Sequence, residues 1–432
     1  GDVNAIPVLE PLLADAELSH IARYALEPMK GEEVDAALLR ALQATSGMLK
    51  AGVVASLGVR KTVAAAPELI PLLEDADGFV VEAAARSLGR IAAPEGIAAL
   101  EKQVAKADLS YAVKQALGDG MFAAAENVLE SGNAAEAARL YDVVYAAEAL
   151  PVPVRAAALR GAILARSPQD GLPLLMDAIQ GENAVFFMAA LRTAMEMEGK
   201  GGTASGKPAD VLPSLSDDRK IPVIQLLGEL GRNTVGDALL KEAGTGSLPV
   251  RVAALKAAVR LGYKPALPVL TMLVTSSEEE LAAVAKDGLS YFPGREGDEA
   301  VKAMLTSADV QIRLTAVELV SKGALPNPTD LLMQVAQEDG DVSVRLAALK
   351  GVKGYAGKAQ LAGLLQLLLA PRSDEEMAAA EEAVKLVCVR EKVTTKEDIE
   401  VTHAVYGDLP DGQQKDVTDK VTWTLSDPEI GV

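Results

Sequence analysis

Apolar residues recur along this chain with the spacing of helices that bury one face. In PVLEPLL (Pro7 to Leu13) and PELIPLL (Pro67 to Leu73), leucines at i, i+3 and i+4 mark one stripe. A second pattern, V-R-x-A-A-L, opens another apolar stretch after a short polar turn, as in VRVAALKAAVRLG. The alternation of the two patterns predicts pairs of helices joined by short turns.

The second pattern returns at a nearly constant interval. Its arginine position, which we call the anchor, is Arg155, Arg251, Arg313 or Arg345 in the clearest copies. Weaker copies have anchors at Ala22, Lys50, Val81, Ser110, Phe187, Lys220, Ala282 and Met377. Most neighbouring anchors are about 31 residues apart, which is a period typical of repeat proteins. One pair cannot bury its apolar face alone, so stacking of about 12 pairs over residues 1–395 predicts an all-α solenoid.

Prolines are expected to shape the first helix of some pairs. Pro7 and Pro67 suit the first turn of a helix, where the missing N–H costs nothing. Pro11 and Pro71 lie four residues further on and should bend or weaken the helix.

The period breaks at residues 118–150, because the anchors Ser110 and Arg155 are 45 residues apart. The intervening Ala-rich sequence resembles a tetratricopeptide unit. It predicts a longer helix and a local change in curvature.

Residues 396–432 change from helical spacing to alternation around the turn sequence GDLPDG. The alternating apolar and polar pattern predicts two strands, carried by Ile399, Val401, His403 and Val405, and then by Val421, Trp423 and Leu425. The string YGDLPDGQQKDVTDKV resembles the opening of a small β-rich module of bacterial proteins. We therefore expect a short β-like extension or the start of a truncated β module.

Composition narrows the possible functions. The chain has one Trp, five Phe, two His and one Cys, which suits thin layers of small-residue helices and excludes an internal disulfide. With 61 acidic and 42 basic residues the net charge is -19, which disfavours nucleic acid as a partner. No apolar run is long enough to span a membrane. Because the chain begins at Gly1 without a leader, we expect a processed or partial chain, with an exported or periplasmic bacterial location favoured.

These features together resemble a known repeat family. The period of about 31 residues, the proline-bent first helix and the Asp-x-x-x-Arg steps Asp309 to Arg313 and Asp341 to Arg345 are similar to HEAT repeats of the short, phycobilisome-lyase-like subtype. The run LSHIARYALEP also resembles a segment of large bacterial HEAT-repeat proteins without an assigned activity. The resemblance implies a right-handed α-α superhelix. It also implies that these Asp and Arg residues form a hydrogen-bonded ladder between layers.

Candidate catalytic and metal-binding motifs are weak. GGTASGK (Gly201 to Lys207) matches the start of a phosphate-binding loop, but Pro208 replaces the required Ser or Thr, so a linker is the better interpretation. Deoxyhypusine hydroxylase, an iron enzyme built on similar repeats, uses His-Glu pairs, whereas His20 precedes Ile and His403 precedes Ala. We therefore expect no catalytic residues, no metal and no cofactor.

Acidic residues cluster in the turns before many second helices, for example at Glu74, Asp75 and Asp77 and at Glu338, Asp339 and Asp341. They could form an acidic ridge for calcium or a cationic partner. Capping of helix N-termini is the simpler interpretation.

A less acidic column lies five residues past the anchors. Its members from Arg86 to Lys256 include no acidic residue. In HEAT-like solenoids the second helices line the concave side, so the column is a candidate binding groove for an acidic peptide or helix. The proposed partner-binding residues are Arg86, Arg160, Arg192, Lys256 and Lys350. The competing interpretation is that these cations only cover Ala-rich helices and stay solvated.

The sequence thus favours a non-catalytic scaffold or adaptor that binds a protein or peptide. One alternative is an enzyme or enzyme subunit of the chromophore-lyase type, with a pocket near residues 118–150 lined by Tyr141 and Tyr145. Another alternative is a structural arm of a larger multidomain protein.

Overall fold

The computed structural model describes residues 3–199, 204–393, 406–408 and 414–416. The chain divides into two compact units, Gly1–Leu215 and Ser216–Val432. We call them the N-terminal unit and the C-terminal unit. Each is built from helix pairs that stack on one another.

In the N-terminal unit, odd-numbered helices are the first and even-numbered helices the second members of six pairs. They are α1 (Ile6–Leu9), α2 (Ser19–Leu26), α3 (Glu32–Ala44), α4 (Gly47–Val59), α5 (Ala66–Leu69), α6 (Gly78–Ile91), α7 (Pro94–Val104), α8 (Tyr111–Glu130), α9 (Ala134–Ala146), α10 (Val152–Leu164), α11 (Pro168–Gln180) and α12 (Ala184–Gly199). Short 3₁₀ segments are Val3–Ala5, Pro11–Ala14, Val63–Ala65, Ile70–Glu74 and Ala204–Ser214.

The C-terminal unit begins with a second-type helix and continues with five pairs, in which even-numbered helices come first. Its helices are α13 (Asp217–Leu230), α14 (Gly236–Thr245), α15 (Leu248–Arg260), α16 (Ala266–Leu273), α17 (Glu279–Ser290), α18 (Glu296–Met304), α19 (Val310–Ser321), α20 (Pro328–Glu338), α21 (Val342–Val352), α22 (Leu361–Leu369) and α23 (Asp374–Glu391), with 3₁₀ turns at Asn233–Val235 and Lys358–Gln360.

Two three-residue strands follow the helices. Strands β1 (Tyr406–Asp408) and β2 (Gln414–Asp416) pair antiparallel, with Gly407 opposite Lys415. They flank part of the predicted GDLPDG turn. The alternating residues on which the strand prediction depended, Ile399 to Val405 and Val421 to Leu425, lie outside the described residues.

The all-α solenoid fold is confirmed. Each predicted anchor lies in the first turn of a second helix, except Ser110, which is the N-cap of α8. Leucine, alanine and valine fill the layer between first and second helices, and Leu13, Leu38 and Leu57 are completely buried. The low content of aromatic residues in the sequence therefore agrees with a core made of aliphatic side chains.

Prolines interrupt first helices as expected. Helix α1 ends at Leu9 and a 3₁₀ segment follows at Pro11–Ala14, while α5 ends at Leu69 before the 3₁₀ segment Ile70–Glu74. A proline ring clashes with the carbonyl four residues earlier and offers no N–H, so the α-helical bonding cannot continue through it.

The second helices of the N-terminal unit approach one another through small residues. A Cβ atom at Gly89 of α6 would lie 1.9 Å from the carbonyl oxygen of Gly120 in α8. On the other side of α6, the Ser87 hydroxyl donates to the carbonyl of Val54 in α4 at 2.8 Å. Backbone therefore packs nearly on backbone across α4, α6 and α8.

Aromatic rings fill the region where the period breaks. Helix α8 has 20 residues, which places a longer helix at the break. The rings of Phe122 and Tyr141 are 6.1 Å apart, and those of Tyr145 and Phe186 are 5.3 Å apart in an edge-on arrangement. The Tyr141 ring lies against Gly161, where a Cβ would be only 2.5 Å from it. These rings stabilise the contacts between the longer helix and its neighbours.

Candidate interaction surface

The anchor arginines fix the turn within each helix pair. Arg155 donates from Nε to the carbonyl of Tyr145 at 2.8 Å, and Arg251 donates from Nε to that of Ala243 at 3.1 Å. Arg345 donates from Nη1 to the carbonyl of Asp339 at 2.9 Å. Each acceptor lies at or just after the end of the first helix, where carbonyls lack partners within the helix. The recurring arginine is therefore a structural cap.

The remaining donors of these arginines reach the next repeat, and this corrects the expected ladder. Arg313 donates to both carboxylate oxygens of Asp339 at 2.9 and 3.1 Å, and Arg345 donates from Nε to Glu376 at 2.8 Å. Asp309 and Asp341 instead accept from the backbone N–H two residues later and cap α19 and α21. The ladder between layers exists at these arginines, but Asp339 and Glu376 supply its acidic side. A side chain that caps its own helix is turned away from the next layer.

The acidic turns contain clear helix caps. The Phe79 N–H donates to Asp77 at 2.9 Å, in the same geometry as the caps at Asp309 and Asp341. Hydrogen bonds from the Ser343 hydroxyl and backbone N–H lower the pKa of Asp341. Capping thus explains these three members of the acidic clusters.

The five predicted partner-binding residues divide into paired and unpaired cations. Arg86 donates to Asp119 at 3.1 Å and to Glu82 at 3.2 Å, and Arg160 forms a two-pronged bond with Glu196 at 2.9 and 2.6 Å. Arg192, Lys256 and Lys350 are exposed and have no ion pair among the described residues. Lys256 and Lys350 lie in the C-terminal unit, whereas the three arginines lie in the N-terminal unit.

Several pairs of this kind connect consecutive second helices, which the sequence alone did not reveal. They are Arg86–Asp119, Arg160–Glu196, Arg260–Glu229, Lys286–Glu318 and Lys353–Glu382. Most of these side chains are at least one-third exposed, so each pair stabilises the stack only slightly. The two residues of each pair are about one repeat period apart in the sequence. That spacing of opposite charges is the signal from which these pairs could have been predicted.

A row of large apolar side chains is exposed at the starts of second helices in the N-terminal unit. Met48 on α4 is 65% exposed, Phe79 on α6 is 59%, Tyr111 on α8 is 63% and Val185 on α12 is 47%. We call these four residues the apolar row. On α10 the corresponding residue is Pro153, which is also exposed. None of the row's side chains is needed to fill the core.

Met48, Phe79 and Tyr111 lie at the same level of the stack on α4, α6 and α8. A Cβ at Gly47 would be 3.5 Å from the Asp77 carboxylate, so the first turn of α4 lies beside that of α6. The contact of Gly89 with Gly120 aligns α6 with α8. Because stacked helices are about 8–10 Å apart, the row crosses the first turns of α4, α6 and α8 at roughly that interval. A Cβ at Gly118, two turns into α8, would be 2.5 Å from Val154 in the first turn of α10, so the starts of α8 and α10 lie at different levels.

The residues considered for enzyme chemistry lie on several different elements of the described part of the chain. Tyr141 is only 8% exposed, and burial raises the pKa of its phenol. His20 is exposed on α2, and His403 lies outside the described residues. Of the GGTASGK segment, residues 201–203 are likewise not described, while Lys207 belongs to a 3₁₀ segment and contacts Asp210 at 3.4 Å.

The described part of the chain was searched for metal-binding clusters and for membrane-spanning helices. No group of three or more His, Cys, Asp and Glu side chains is placed there to hold a metal ion. None of its helices has the length and apolar character that crossing a membrane requires.

Comparison with known proteins identifies the class of repeat. Residues 34–118, from α3 into α8, match the family model described as HEAT repeats. This part of the chain is therefore similar to HEAT repeats, a solenoid fold typical of protein-interaction scaffolds. No curated protein matches the sequence.

Three solved structures illustrate the similarity of fold. The crystal structure of Kap121p bound to Pho4p is 13% identical, covering 92% of this chain and 50% of that chain with a TM-score of 0.49. Human deoxyhypusine hydroxylase is 18% identical, covering 67% and 96% with a TM-score of 0.27. The CpcE–CpcF complex of phycocyanin lyase from Nostoc sp. PCC7120 is 17% identical, covering 65% and 94% with a TM-score of 0.29. This chain spans half of the Kap121p chain. At these scores the similarities carry no statement about activity or partners.

Proposed function

We propose that this protein is a non-catalytic scaffold that binds another protein on the exposed face of its N-terminal second helices. The observation that carries the proposal is the apolar row. Met48, Phe79 and Tyr111 each leave about three-fifths of their surface in water. Isolated exposed apolar residues are ordinary, but a row at one level of successive helices is typical of an interaction site.

The residue types in the row suit binding. Phenylalanine and tyrosine bury large areas with few rotatable bonds, and methionine adapts to irregular surfaces. Aromatic side chains also dominate the energetics of many interfaces. A peptide-sized partner could therefore gain most of its affinity from three or four contacts.

The buried ionisable groups support a non-catalytic role. Arg345 and Glu376 are paired at 2.8 Å, and Lys220 and Glu242 at 2.9 Å. Both pairs join separate helices. Groups that are committed to such bonds contribute to packing rather than to proton transfer.

Affinity capture tests the proposal. The full chain, the triple variant Met48→Ser/Phe79→Ser/Tyr111→Ser and the control Val342→Ser are each used as bait, and bound proteins are identified by mass spectrometry. Val342 is 44% exposed at the start of α21, so the control also removes an exposed apolar side chain. We expect at least one protein to be retained by the wild type and the control but lost from the triple variant. Identical recoveries on all three baits would refute the proposal.

A further inference from the structure

We infer that the partner segment is an acidic amphipathic helix, whose apolar side chains contact the apolar row and whose carboxylates contact the arginines beside it. This inference rests on the proposed function and specifies the chemistry of the partner. It depends on the layout of the exposed stripe on each second helix, on the charges around it and on the spacing of the helices.

The apolar row and the basic column are parallel features of one face. Arg86 follows Phe79 by seven residues on α6, and Arg192 follows Val185 by seven on α12. Seven residues are two helical turns, so each arginine is about 10.5 Å further along the same stripe. On α10 the same spacing joins the exposed Pro153 to Arg160. The arginines therefore lie two turns beyond the helix start on α6, α10 and α12, whereas Met48 is followed at that spacing by Ala55 and Tyr111 by Gly118.

The first turns of the second helices in the N-terminal unit add no negative charge to that of the acidic turns before them. The first turns of α4, α6, α8, α10 and α12 contain no acidic residue, although Asp77 caps α6. In the C-terminal unit, acidic residues occupy the first turns of α13, α17 and α23, whereas those of α15, α19 and α21 contain none. Helix N-termini carry partial positive charge, which first-turn carboxylates would offset. A negatively charged partner is therefore favoured on the N-terminal unit.

The arginines can accept new carboxylate partners. Arg192 is exposed and has no ion pair among the described residues. Arg86 pairs with Asp119, whose side chain is 51% exposed, and Arg160 with Glu196, which is 38% exposed. Glu82 also contacts Arg86. Exposed pairs of this kind are weak, so a carboxylate delivered by a bound helix can compete for the same guanidinium groups.

The spacing of the second helices fits a helical ligand. Stacked helices lie about 8–10 Å apart. On a helix laid across them, side chains at i and i+7 are about 10.5 Å apart and project from the same face. Apolar residues at that interval would meet successive members of the apolar row, and acidic residues on the adjoining flank would meet the arginines.

This inference is tested on the full chain by selecting binders from a displayed library of random peptides. The peptides are about 20 residues long, because a helix of that length could cross three layers. Enriched peptides are sequenced, synthesised with a fluorophore and titrated by fluorescence anisotropy. We expect enrichment of Asp and Glu together with apolar residues at i and i+7. Phe79→Ser should weaken binding about tenfold or more, as truncation of an aromatic anchor commonly does.

Two further variants locate the charge contacts. Arg86→Glu, on the same helix as Phe79, should weaken the acidic peptides several-fold, with the loss largest at low salt, because it replaces attraction by repulsion. The control Val342→Ser should leave the affinity within about twofold. Thermal unfolding of each variant shows whether the fold is intact.

The outcomes separate the two proposals. Enriched peptides that are basic, but are still lost with Phe79→Ser, would overturn the acidic partner and leave the binding surface standing. Peptides whose affinity is unchanged by both Phe79→Ser and the triple variant would overturn the surface itself. A failure to enrich any peptide would contradict both proposals.

Discussion

Close glycine contacts join the layers of both units, but among the described residues ion pairs that are buried at both partners occur in the C-terminal unit. In the N-terminal unit, α6 and α8 touch through backbone at Gly89 and Gly120. In the C-terminal unit, buried ion pairs connect the layers, and Arg345 and Glu376 are 8% and 6% exposed at their side chains. No described pair in the N-terminal unit is as buried at both partners. The same repeat can thus be stabilised by close packing or by charge.

The residue types at the starts of the second helices also differ between the two units. At the second residue of these helices the N-terminal unit has Met48, Phe79 and Val185, and also His20, Ala112 and Pro153. The C-terminal unit has Asp218, Pro249, Glu280, Gln311, Ser343 and Glu375 at the corresponding positions, all of them exposed. Because the position is exposed in both units, packing does not require an apolar residue there. Packing therefore does not account for the apolar row, which agrees with the proposed binding role.

Breaking the buried pair in the C-terminal unit should have the largest effect. Glu376→Ala leaves the Arg345 guanidinium buried without its carboxylate and should lower the free energy of unfolding by about 3–5 kcal/mol. Urea titration measures the change. The double variant Arg345→Met/Glu376→Leu should recover most of it, because apolar side chains of similar volume tolerate the same burial.

An exposed pair provides the matched control for that prediction. Arg260 and Glu229 are 62% and 45% exposed at their side chains and also join consecutive second helices. Glu229→Ala should cost less than about 1 kcal/mol. Equal losses for Glu376→Ala and Glu229→Ala would show that burial of the pair is unimportant.

Close packing in the N-terminal unit should be the next most sensitive feature. Gly89→Ala places a methyl group 1.9 Å from the Gly120 carbonyl, so α6 and α8 must separate. We expect a loss of about 2–3 kcal/mol and a lower Tm. Gly78→Ala, in the same helix but with no atom within 4 Å of the new methyl, should be neutral or slightly stabilising. Similar melting temperatures for the two variants would contradict the packing argument.

Substitution in the apolar row should have little effect on stability. Phe79 is 59% exposed, so Phe79→Ser removes few buried contacts and should change the free energy of unfolding by no more than about 0.5 kcal/mol. Leu88→Ala in the same helix, where the side chain is fully buried, should cost about 2–5 kcal/mol. If Phe79→Ser destabilises the protein as much as Leu88→Ala, the row is part of the core.

The smallest predicted effect concerns pH and the pairs between second helices. Hydrogen bonds from Lys286 and then Lys322 lower the pKa of Glu318 below its ordinary value of 4.5. A carboxylate whose pKa is lower in the folded than in the unfolded protein stabilises the fold at pH values above its unfolded-state pKa. That stabilisation is lost as the pH falls through its folded-state pKa. Glu318→Gln should therefore reduce the acid-induced loss of stability below about pH 4.5, by well under 1 kcal/mol because the pair is partly exposed. A steeper loss in the variant would reverse the assigned sign.

The fold could be predicted from the sequence because its signals are local. The period of the anchors, the apolar stripes and the prolines at Pro11 and Pro71 each depend on residues within one repeat. The structure accordingly places second helices at the anchors and 3₁₀ segments at those prolines.

The interaction surface could be predicted only in part because it depends on contacts between repeats. Asp339 lies 26 residues after Arg313, and Glu376 lies 31 after Arg345, so the ladder's true acids are not in the motif. The apolar row was overlooked because sequence does not show which apolar residues are exposed. Met48 and Phe79 both precede their anchors by two residues, and that regularity was an available signal.

Hydrogen–deuterium exchange of the full chain, with and without an enriched acidic peptide, shows whether the starts of the N-terminal second helices are the binding surface. First-turn amides lack partners within the helix and exchange readily unless a ligand covers them. We predict slower exchange at the starts of α4, α6 and α8, with little change at the starts of α19 and α21. Protection confined to the C-terminal unit, or to the first helices of the N-terminal unit, would contradict the account.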